Sequence, residues 1–487
     1  MIWSRYVSLL LVNLSVYSTA SIKYAKRDYK VKESESINAD GNIDVVDQVQ
    51  GSDDMDKYNY GIMIDAGSTG SRIYIYEWDA KANCKYAPYI KPSLYRDGPN
   101  KGKQFTIRKS GGLAKANPSD IPNYFKELIT PALQFVPVNK RSQTPIFLKA
   151  TAGMRTIPRA LANKILDATK LVLGKSGFKF DDKFGAQVIP GEFEGVFGWM
   201  AANYITDVFS DQSQQVESKG YFDMGGSSMQ GVFEPKEIPI ENAFPININS
   251  TSKIIYTHSY LRFGRNDAQD RYYKNLLKAS PAQGNVNSNL ASPCAIKGYT
   301  ETQTINSKNI TVTGQSNFDD CMKQTYSLLN KETECFTDTC AINGEFLAEI
   351  PSSMELYATS TFSETARFFK CSGKKPIKCL LESAKKECNS DMQTYVKNNE
   401  KAKNDWDFWN YCFNAAYIVN LLKDGYGMSL DRELTFSNDI GGIDIGWTLG
   451  AMVYEVNLLR EKGQCCDKED GGAYSRYPTK NKSNNNY

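Results

Sequence analysis

Gly61-Ile62-Met63-Ile64-Asp65-Ala66-Gly67-Ser68-Thr69-Gly70-Ser71-Arg72-Ile73-Tyr74-Ile75-Tyr76 is an apolar run that ends in an acid, turns through small residues and leaves as a second β-rich run. Ile- and Tyr-rich runs on either side of a Gly/Ser/Thr cluster predict two antiparallel strands and their hairpin. Gly67 and Gly70 let backbone N–H groups converge, Ser68, Thr69 and Ser71 add hydroxyl donors, and no bulky side chain blocks an approaching anion. Asp65, at the strand end, suits a metal ion or its waters better than it suits a core. Alone, the stretch reads equally well as an ordinary hairpin. A second copy decides between the two.

That copy is Gly220-Tyr221-Phe222-Asp223-Met224-Gly225-Gly226-Ser227-Ser228-Met229-Gln230-Gly231-Val232-Phe233. Both stretches read apolar, Asp, apolar, Gly, then small and hydroxyl residues, then a second strand. An Asp-x-Gly hairpin that recurs after about 158 positions is an internal repeat of a supersecondary unit. Two such hairpins facing across a cleft would grip a polyphosphate from both sides, with Asp65 and Asp223 about a common metal.

Between the copies, Pro145-Ile146-Phe147-Leu148-Lys149-Ala150 predicts a buried strand running into the loop Thr151-Ala152-Gly153-Met154-Arg155. Thr151, Ala152 and Gly153 could add backbone and hydroxyl donors for an anion, while Arg155 reads as a phosphate contact or, in preference, as a surface charge or one that supports another group. Glu192 and Glu194 open an apolar helix between Gly191 and Gly195. They read equally as acids complementing a helix N-terminus or as a general base for water, in a region with no histidine to take that work. Helical patterns at 121–135, 161–173, 196–208, 406–423 and 445–459 alternate with strands near 145–150 and 184–189, which makes the chain α/β. The stretch from Cys84 to Gly112 reads as irregular.

Composition sets the outer bounds. At 487 residues, with 41% hydrophobic and 23% charged residues, the chain has room for two or three globular domains. A net charge of +3 gives no reason to expect nucleic acid or an anionic membrane as partner. The one histidine, His258, argues against His-rich zinc motifs and against Ser-His-Asp or Cys-His hydrolases. Arg5, the apolar segment Val7 to Tyr17 and the small residues Ser18-Thr19-Ala20 form a secretory-signal pattern with cleavage after Ala20. An uncleaved anchor competes with that reading, but the segment is short and Asn13 interrupts it. No later stretch is apolar and long enough to span a membrane, so the expectation is a secreted or lumenal protein with no stable membrane span. Eleven cysteines suggest disulfides in that compartment, with Cys294–Cys321 and Cys335–Cys340 as pairs by proximity and one thiol left over. Sequons at Asn249, Asn309 and Asn481 agree.

The segments IDAGSTGSR (64–72), LKATAGMR (148–155), GEFEGVFGWMAANY (191–204), FDMGGSSMQ (222–230) and GGIDIGWTLGAM (441–452) resemble, in order, those of the apyrase family. That family comprises nucleoside triphosphate diphosphohydrolases and the related Golgi-type nucleoside diphosphatases. Weaker matches are THSYLRFG (257–264), PCAIKGY (293–299) and YCFNAAYIVNLLKDGYG (411–427). The resemblance implies an α/β, two-domain fold of the actin, hexokinase and heat-shock-ATPase (ribonuclease H-like) type, with the active site in the interdomain cleft. It implies Mg2+- or Ca2+-dependent hydrolysis of nucleoside di- or triphosphates without a covalent intermediate. By motif position, Glu194 would be the base and Ser228 and Gln230 would hold the attacking water. Asp65 and Asp223 would organise the hydrated metal. Gly67, Ser68, Thr69, Gly70, Thr151, Ala152, Gly153, Gly225, Gly226 and Ser227 would bind phosphate, and Trp447 would be structural. Phe193 stands where many members carry a second acid, and Met224 and Ser227 replace Leu and Ala. Gly70 stands where membrane-bound cell-surface members carry His, which leaves tri- against diphosphate preference open.

The expected organisation is a signal peptide (1–20), a flexible leader (21–58), a first clamp domain (59–190 with 443–460), a second clamp domain holding the cysteines (191–442) and a disordered tail (461–487). Tyr357 and Phe362 are candidates to stack on the base. A kinase or exopolyphosphatase on the same fold, or a non-catalytic nucleotide-binding protein, are the competing functions.

Overall fold

A computed structural model of the protein describes residues 57–81, 88–209, 216–248, 251–280, 289–405 and 407–461. The expected signal peptide, nearly all of the leader, the tail beyond 461, Cys84, Cys465, Cys466, Asn249 and Asn481 lie outside the described residues.

The opening stretch forms β1 (Tyr58–Ala66) and β2 (Gly70–Asp79), paired antiparallel with Asp65 opposite Arg72. Next come β3 (Lys91–Pro92), β4 (Thr106–Ser110), β5 (Ile146–Ala150) and β6 (Ala186–Val188). They build one sheet in the order β3-β2-β1-β5-β6, with β4 also on β2. The second hairpin is β7 (Gly220–Met224) and β8 (Ser228–Phe233), with Asp223 opposite Gln230. It sits in a sheet with β9 (Ala243–Ile248), β10 (Thr251–Leu261), β14 (Leu356–Ser360), β15 (Gly373–Pro376) and β16 (Glu433–Phe436), in the order β15-β16-β14-β7-β8-β10-β9. The strands numbered between, β11 (Asn289–Ser292), β12 (Thr300–Ile305) and β13 (Lys308–Gly314), form a small separate sheet. The last pair, β17 (Asp439–Ile440) and β18 (Ile443–Asp444), is a ribbon leading to the final helix.

The repeat extends well past the hairpins. β5 runs parallel to β1 as β14 runs parallel to β7, and β6 and β16 extend each sheet in parallel again. On the other side β4 joins β2 antiparallel as β10 joins β8. Two copies of one five-strand unit therefore form the body of the two main sheets, with β3, β9 and β15 added outside the repeat, as the α/β, actin-like expectation requires. The expected irregular stretch from Cys84 to Gly112 departs from this, since it contains β4. Alternation of exposed with half-buried residues in Thr-Ile-Arg-Lys-Ser marks β4 as an edge strand.

Period-two alternation gives each central strand two apolar faces. Ile62 and Ile64 face a core shared with the Ile121–Phe135 and Arg159–Gly174 helices, while Met63 faces a central core. Tyr221 and Val232 of the second sheet enter that same central core, and Phe222 and Met229 point to a third. Two helices, Gly191–Ile205 and Trp447–Glu461, fill the space between the sheets. They approach so closely that a Cβ on Gly450 would stand 1.9 Å from the Phe197 carbonyl oxygen. Trp447 is buried there, so this part of the 441–452 motif serves packing.

The cysteine-rich half is stapled by Cys294–Cys321, Cys335–Cys340, Cys371–Cys379 and Cys388–Cys412. The first two are the pairs expected by proximity. The other two pairs, 8 and 24 positions apart, were not singled out from sequence.

One buried ion pair ties the last helix to the first sheet: Lys149 Nζ lies 2.6 Å from Glu455 Oε1 and 2.8 Å from Gln187 Oε1. Removing one partner strands a charge in a core, which costs about 3–5 kcal/mol, whereas replacing both with apolar residues can be neutral. Glu455→Ala should therefore lower the unfolding midpoint steeply and Lys149→Met/Glu455→Met should recover most of the loss. Equal instability of the single and double variants in thermal melts would show that the pair is not the cause.

Candidate active site

The two turns are closed the same way. Gly67 N–H donates to the Gly70 carbonyl at 2.9 Å and Gly225 N–H to the Ser228 carbonyl at 3.0 Å. None of Gly67, Gly70, Gly225 and Gly226 takes a positive φ. At Gly70 and Gly226 the need for glycine comes from crowding. A Cβ on Gly226 would stand 2.5 Å from Ser68 Oγ and 3.1 Å from Thr69 Cγ2, so the turns do face each other. A Cβ on Gly153 would be 2.8 Å from Ser68 Cα, and one on Gly112 would be 2.2 Å from the Ser68 carbonyl oxygen. The Thr151 N–H donates to the Ala66 carbonyl at 3.1 Å, which fixes the Thr151-Ala152-Gly153 loop against the first turn. The second turn is braced by the chain after β10: Arg262 N–H donates to the Ser227 carbonyl (2.7 Å), Arg265 to Gly225 (2.9 Å) and Asn266 to Gly226 (2.8 Å). Arg262 belongs to the weaker THSYLRFG motif, and Arg265 and Asn266 follow it directly.

Glu194 reaches the site by an unusual helix face. Positions 191, 194, 195 and 198 share one side of a helix, and in the Gly191–Ile205 helix they are Gly, Glu, Gly and Gly. Side chains there would collide with Ser259 and Arg155, with Val232 and with the Tyr221 ring respectively for the three glycines. The bare stripe lets the helix lie down on β7, β8 and β10, leaving Glu194 as the one side chain among these four positions. Alternation along β8 turns Ser228 and Gln230 to meet it.

A buried polar cluster results. Arg155 Nη2 is 2.6 Å from Glu194 Oε2 and 3.4 Å from Ser228 Oγ. Gln230 Nε2 donates to Ser228 Oγ at 2.9 Å, to Ser259 Oγ at 2.9 Å and to Glu194 Oε2 at 3.3 Å. Glu192 lies outside the cluster; its carbonyl accepts from Thr257 Oγ1 at 3.4 Å. Arg155, read from sequence as a surface or supporting charge, is half-buried and supports Glu194.

Burial dominates the electrostatics. It pushes the Glu194 carboxyl up to about 8 against the opposing pull of Arg155, with the Asp223 and Asp65 charges adding to the rise. Burial likewise raises Asp65 to about 6, opposed by Arg72 and reinforced by Asp223 and Asp444. Asp223 is raised by burial and held back by hydrogen bonds from Ser360 and Thr359, the latter 3.2 Å from Oδ1. Ser360 holds its backbone at φ 55°, unusual for a residue with a side chain, and its N–H donates to Asn438 Oδ1 at 2.6 Å. Asp444, not singled out from sequence, joins this acidic set from the β18 end and accepts from the Gly446 N–H at 2.6 Å.

Among the described residues no three His, Cys, Asp or Glu side chains form a direct metal cage. Two buried acids at equivalent strand ends beside facing phosphate-type turns do fit a cation that keeps several waters and binds partly through its ligand's phosphates. Tyr357 and Phe362 do not fit their stacking role: Tyr357 is 8% exposed and Phe362 is fully buried, both packed in cores. Their position just inside and just after β14 explains the burial.

Duplicated sheets clasping a cleft of this composition define the actin-like, two-domain nucleotidase fold. A nucleoside triphosphate hydrolase from Neospora caninum has that fold at TM-score 0.61 and 12% identity, covering 84% of this chain and 94% of its own. The GDA1/CD39 (nucleoside phosphatase) family model matches residues 52–467, and the chain belongs to that family. Its relatives include the probable apyrase 3 of Arabidopsis thaliana, 29% identical over 431 residues (82% of this chain, 83% of the relative). The Golgi apyrase of Schizosaccharomyces pombe is 28% identical (82% and 75%), and the human ectonucleoside triphosphate diphosphohydrolase 8 is 29% identical (82% and 83%). The family's hydrolysis depends on a divalent cation in general. No described helix is long and apolar enough to cross a membrane.

Gly70 has a geometric role besides its family position. A Cβ there would meet the Lys109 carbonyl oxygen at 2.4 Å, because β4 crosses close behind the turn. Gly70→Ala should push β4 away and lower stability by about 1–3 kcal/mol, and Gly70→His should do more. Nucleotide affinity should weaken alongside, since Gly112 on the same segment seats Ser68. Unchanged melting and unchanged binding isotherms for Gly70→Ala would show that β4 yields freely.

Proposed function

We propose that the chain is an apyrase-type hydrolase that releases orthophosphate from nucleoside di- and triphosphates by direct attack of water, with Glu194 as general base. The observation that carries this reading is the buried carboxylate held on a glycine-cleared helix face, bonded to Arg155 and Gln230, beside two facing turns. Phosphoryl transfer to water needs positioning and charge neutralisation more than covalent chemistry. Gly67 to Gly70, Thr151 to Gly153 and Gly225 to Ser227 present backbone N–H groups and hydroxyls to the phosphates. Asp65 and Asp223 would hold a hydrated Mg2+ or Ca2+, which when bound offsets phosphate charge. Glu194 accepts a proton from the water while Ser228 and Gln230 hold the water's oxygen and its second hydrogen, leaving a lone pair for phosphorus. A carboxyl pushed well above its ordinary range is a stronger base once ionised and is partly ionised near neutrality. The secretory-signal pattern of residues 5–20, the disulfides and the Golgi apyrases among the relatives support action in the secretory lumen or outside the cell.

Glu194→Gln should abolish turnover while leaving nucleotide affinity within a few-fold; near-normal release would remove Glu194 from the role. Phosphate release from ATP, ADP, GDP and UDP, with polyphosphate in parallel, reads the substrate class at the same time. Asp65→Ala and Asp223→Ala should shift the divalent-cation titration as well as the rate, and an unchanged titration in either would end the shared-metal reading.

The pH dependence follows from the sign of the Glu194 shift. A base with its carboxyl near 8 is protonated in acid, so kcat/KM should climb with pH through neutrality and level above about 8. Arg155 holds the carboxyl down, so Arg155→Met should move that climb to higher pH. A profile that stays in place while the rate falls would restrict Arg155 to packing.

A further inference from the structure

Gln230 is fully buried, yet its Oε1 has no hydrogen-bond partner among the described residues. A buried acceptor left bare costs about 1–3 kcal/mol, so its presence needs a reason. Its amide nitrogen, by contrast, has three neighbours for two hydrogens: Ser228 Oγ and Ser259 Oγ at 2.9 Å and Glu194 Oε2 at 3.3 Å. The orientation of a side-chain amide is fixed by such neighbours. In the ionised form that would act as base, Glu194 can only accept, so the face toward it is the NH2 and Oε1 points away. The Ser228 oxygen is shared with Arg155, which also donates to it. Ser259 is the neighbour with no other such demand: it lies directly opposite Gln230 in the β8–β10 register. Its hydroxyl sits where a Cβ on Gly191 would come within 2.1 Å.

From this arrangement we infer that Ser259 is a positioning residue for hydrolysis, holding the Gln230 amide so that its bare oxygen accepts from the attacking water. Gly191 is the residue that makes room for that hydroxyl beneath the helix carrying Glu194. The inference rests on the hydrolytic reading above and adds a residue that does not touch substrate. Without the Ser259 oxygen the amide can rotate and present N–H where the water must donate, so the water loses its second anchor.

The test compares Ser259→Ala, and Ser259→Cys as a volume-retaining variant with a poor acceptor, in wild-type and Gln230→Ala backgrounds. In the wild-type background kcat should fall about ten-fold, the scale of one positioning hydrogen bond, with KM within two-fold. In the Gln230→Ala background the same change should have no further effect, because there is no amide left to orient. An undiminished kcat in both serine variants, or an equal loss with and without Gln230, overturns the inference. Glu194→Gln measured in the same series reports separately on the general-base reading. Loss there with a silent Ser259 sinks only the inference, and retained turnover there sinks the reading beneath it.

Discussion

Four acids, Asp65, Asp223, Asp444 and Glu194, stand in one cleft where burial opposes their charge. Few devices offset that cost: Arg72, 3.8 Å from Asp65, Arg155, 2.6 Å from Glu194, and hydrogen bonds from Thr359, Ser360 and the Gly446 N–H. Protein cations alone leave the set under-neutralised, and a divalent cation is the kind of ligand that offsets it. The scaffold is arranged around that tension. Two sheets of the same design bring an acid each, a ribbon brings the third, and a helix stripped of side chains on one face brings the fourth.

Crowding does the rest of the arranging. Glycines in both turns work by permitting contact, with Ser68 enclosed by Gly112, Gly153 and Gly226, and they do not work by unusual backbone angles. The same device operates away from the site, where Gly450 lets the central helices touch and Gly198 lets one of them rest on Tyr221. Interiors are packed too tightly for a methyl group to be absorbed at such points. A phosphate-binding turn of this kind is therefore specified by its neighbours as much as by its own residues.

This explains what could be read from the chain before folding. The hairpins, their repeat and the acid at each strand end were legible because turn chemistry and strand alternation are local. So were the Ile121–Phe135 helix and the buried strand before Thr151. Glu194 could be separated from Glu192 only through the family resemblance, since the glycine stripe matters only against a sheet. Asp444 was hidden in a motif whose tryptophan drew the attention. The partnership of Arg155 with Glu194 spans 39 positions, and Ser259 meets Gln230 only through strand pairing. β4 was missed because a short, mostly polar edge strand resembles a loop, and Tyr357 and Phe362 misled because aromatic identity says nothing of depth.

The helix Trp447–Glu461 has a consequence for the order in which the protein is made. It packs on the helix that carries Glu194 and on β1, and its Glu455 neutralises Lys149 in the first sheet. The first hairpin leaves the ribosome almost four hundred residues before this helix does. Until then the first sheet holds a lysine without its counter-charge and an uncovered apolar face, a state that domain-by-domain folding leaves exposed. The cleft is thus closed by the last of the described helices, and a nascent chain stays without an assembled site until that helix has emerged.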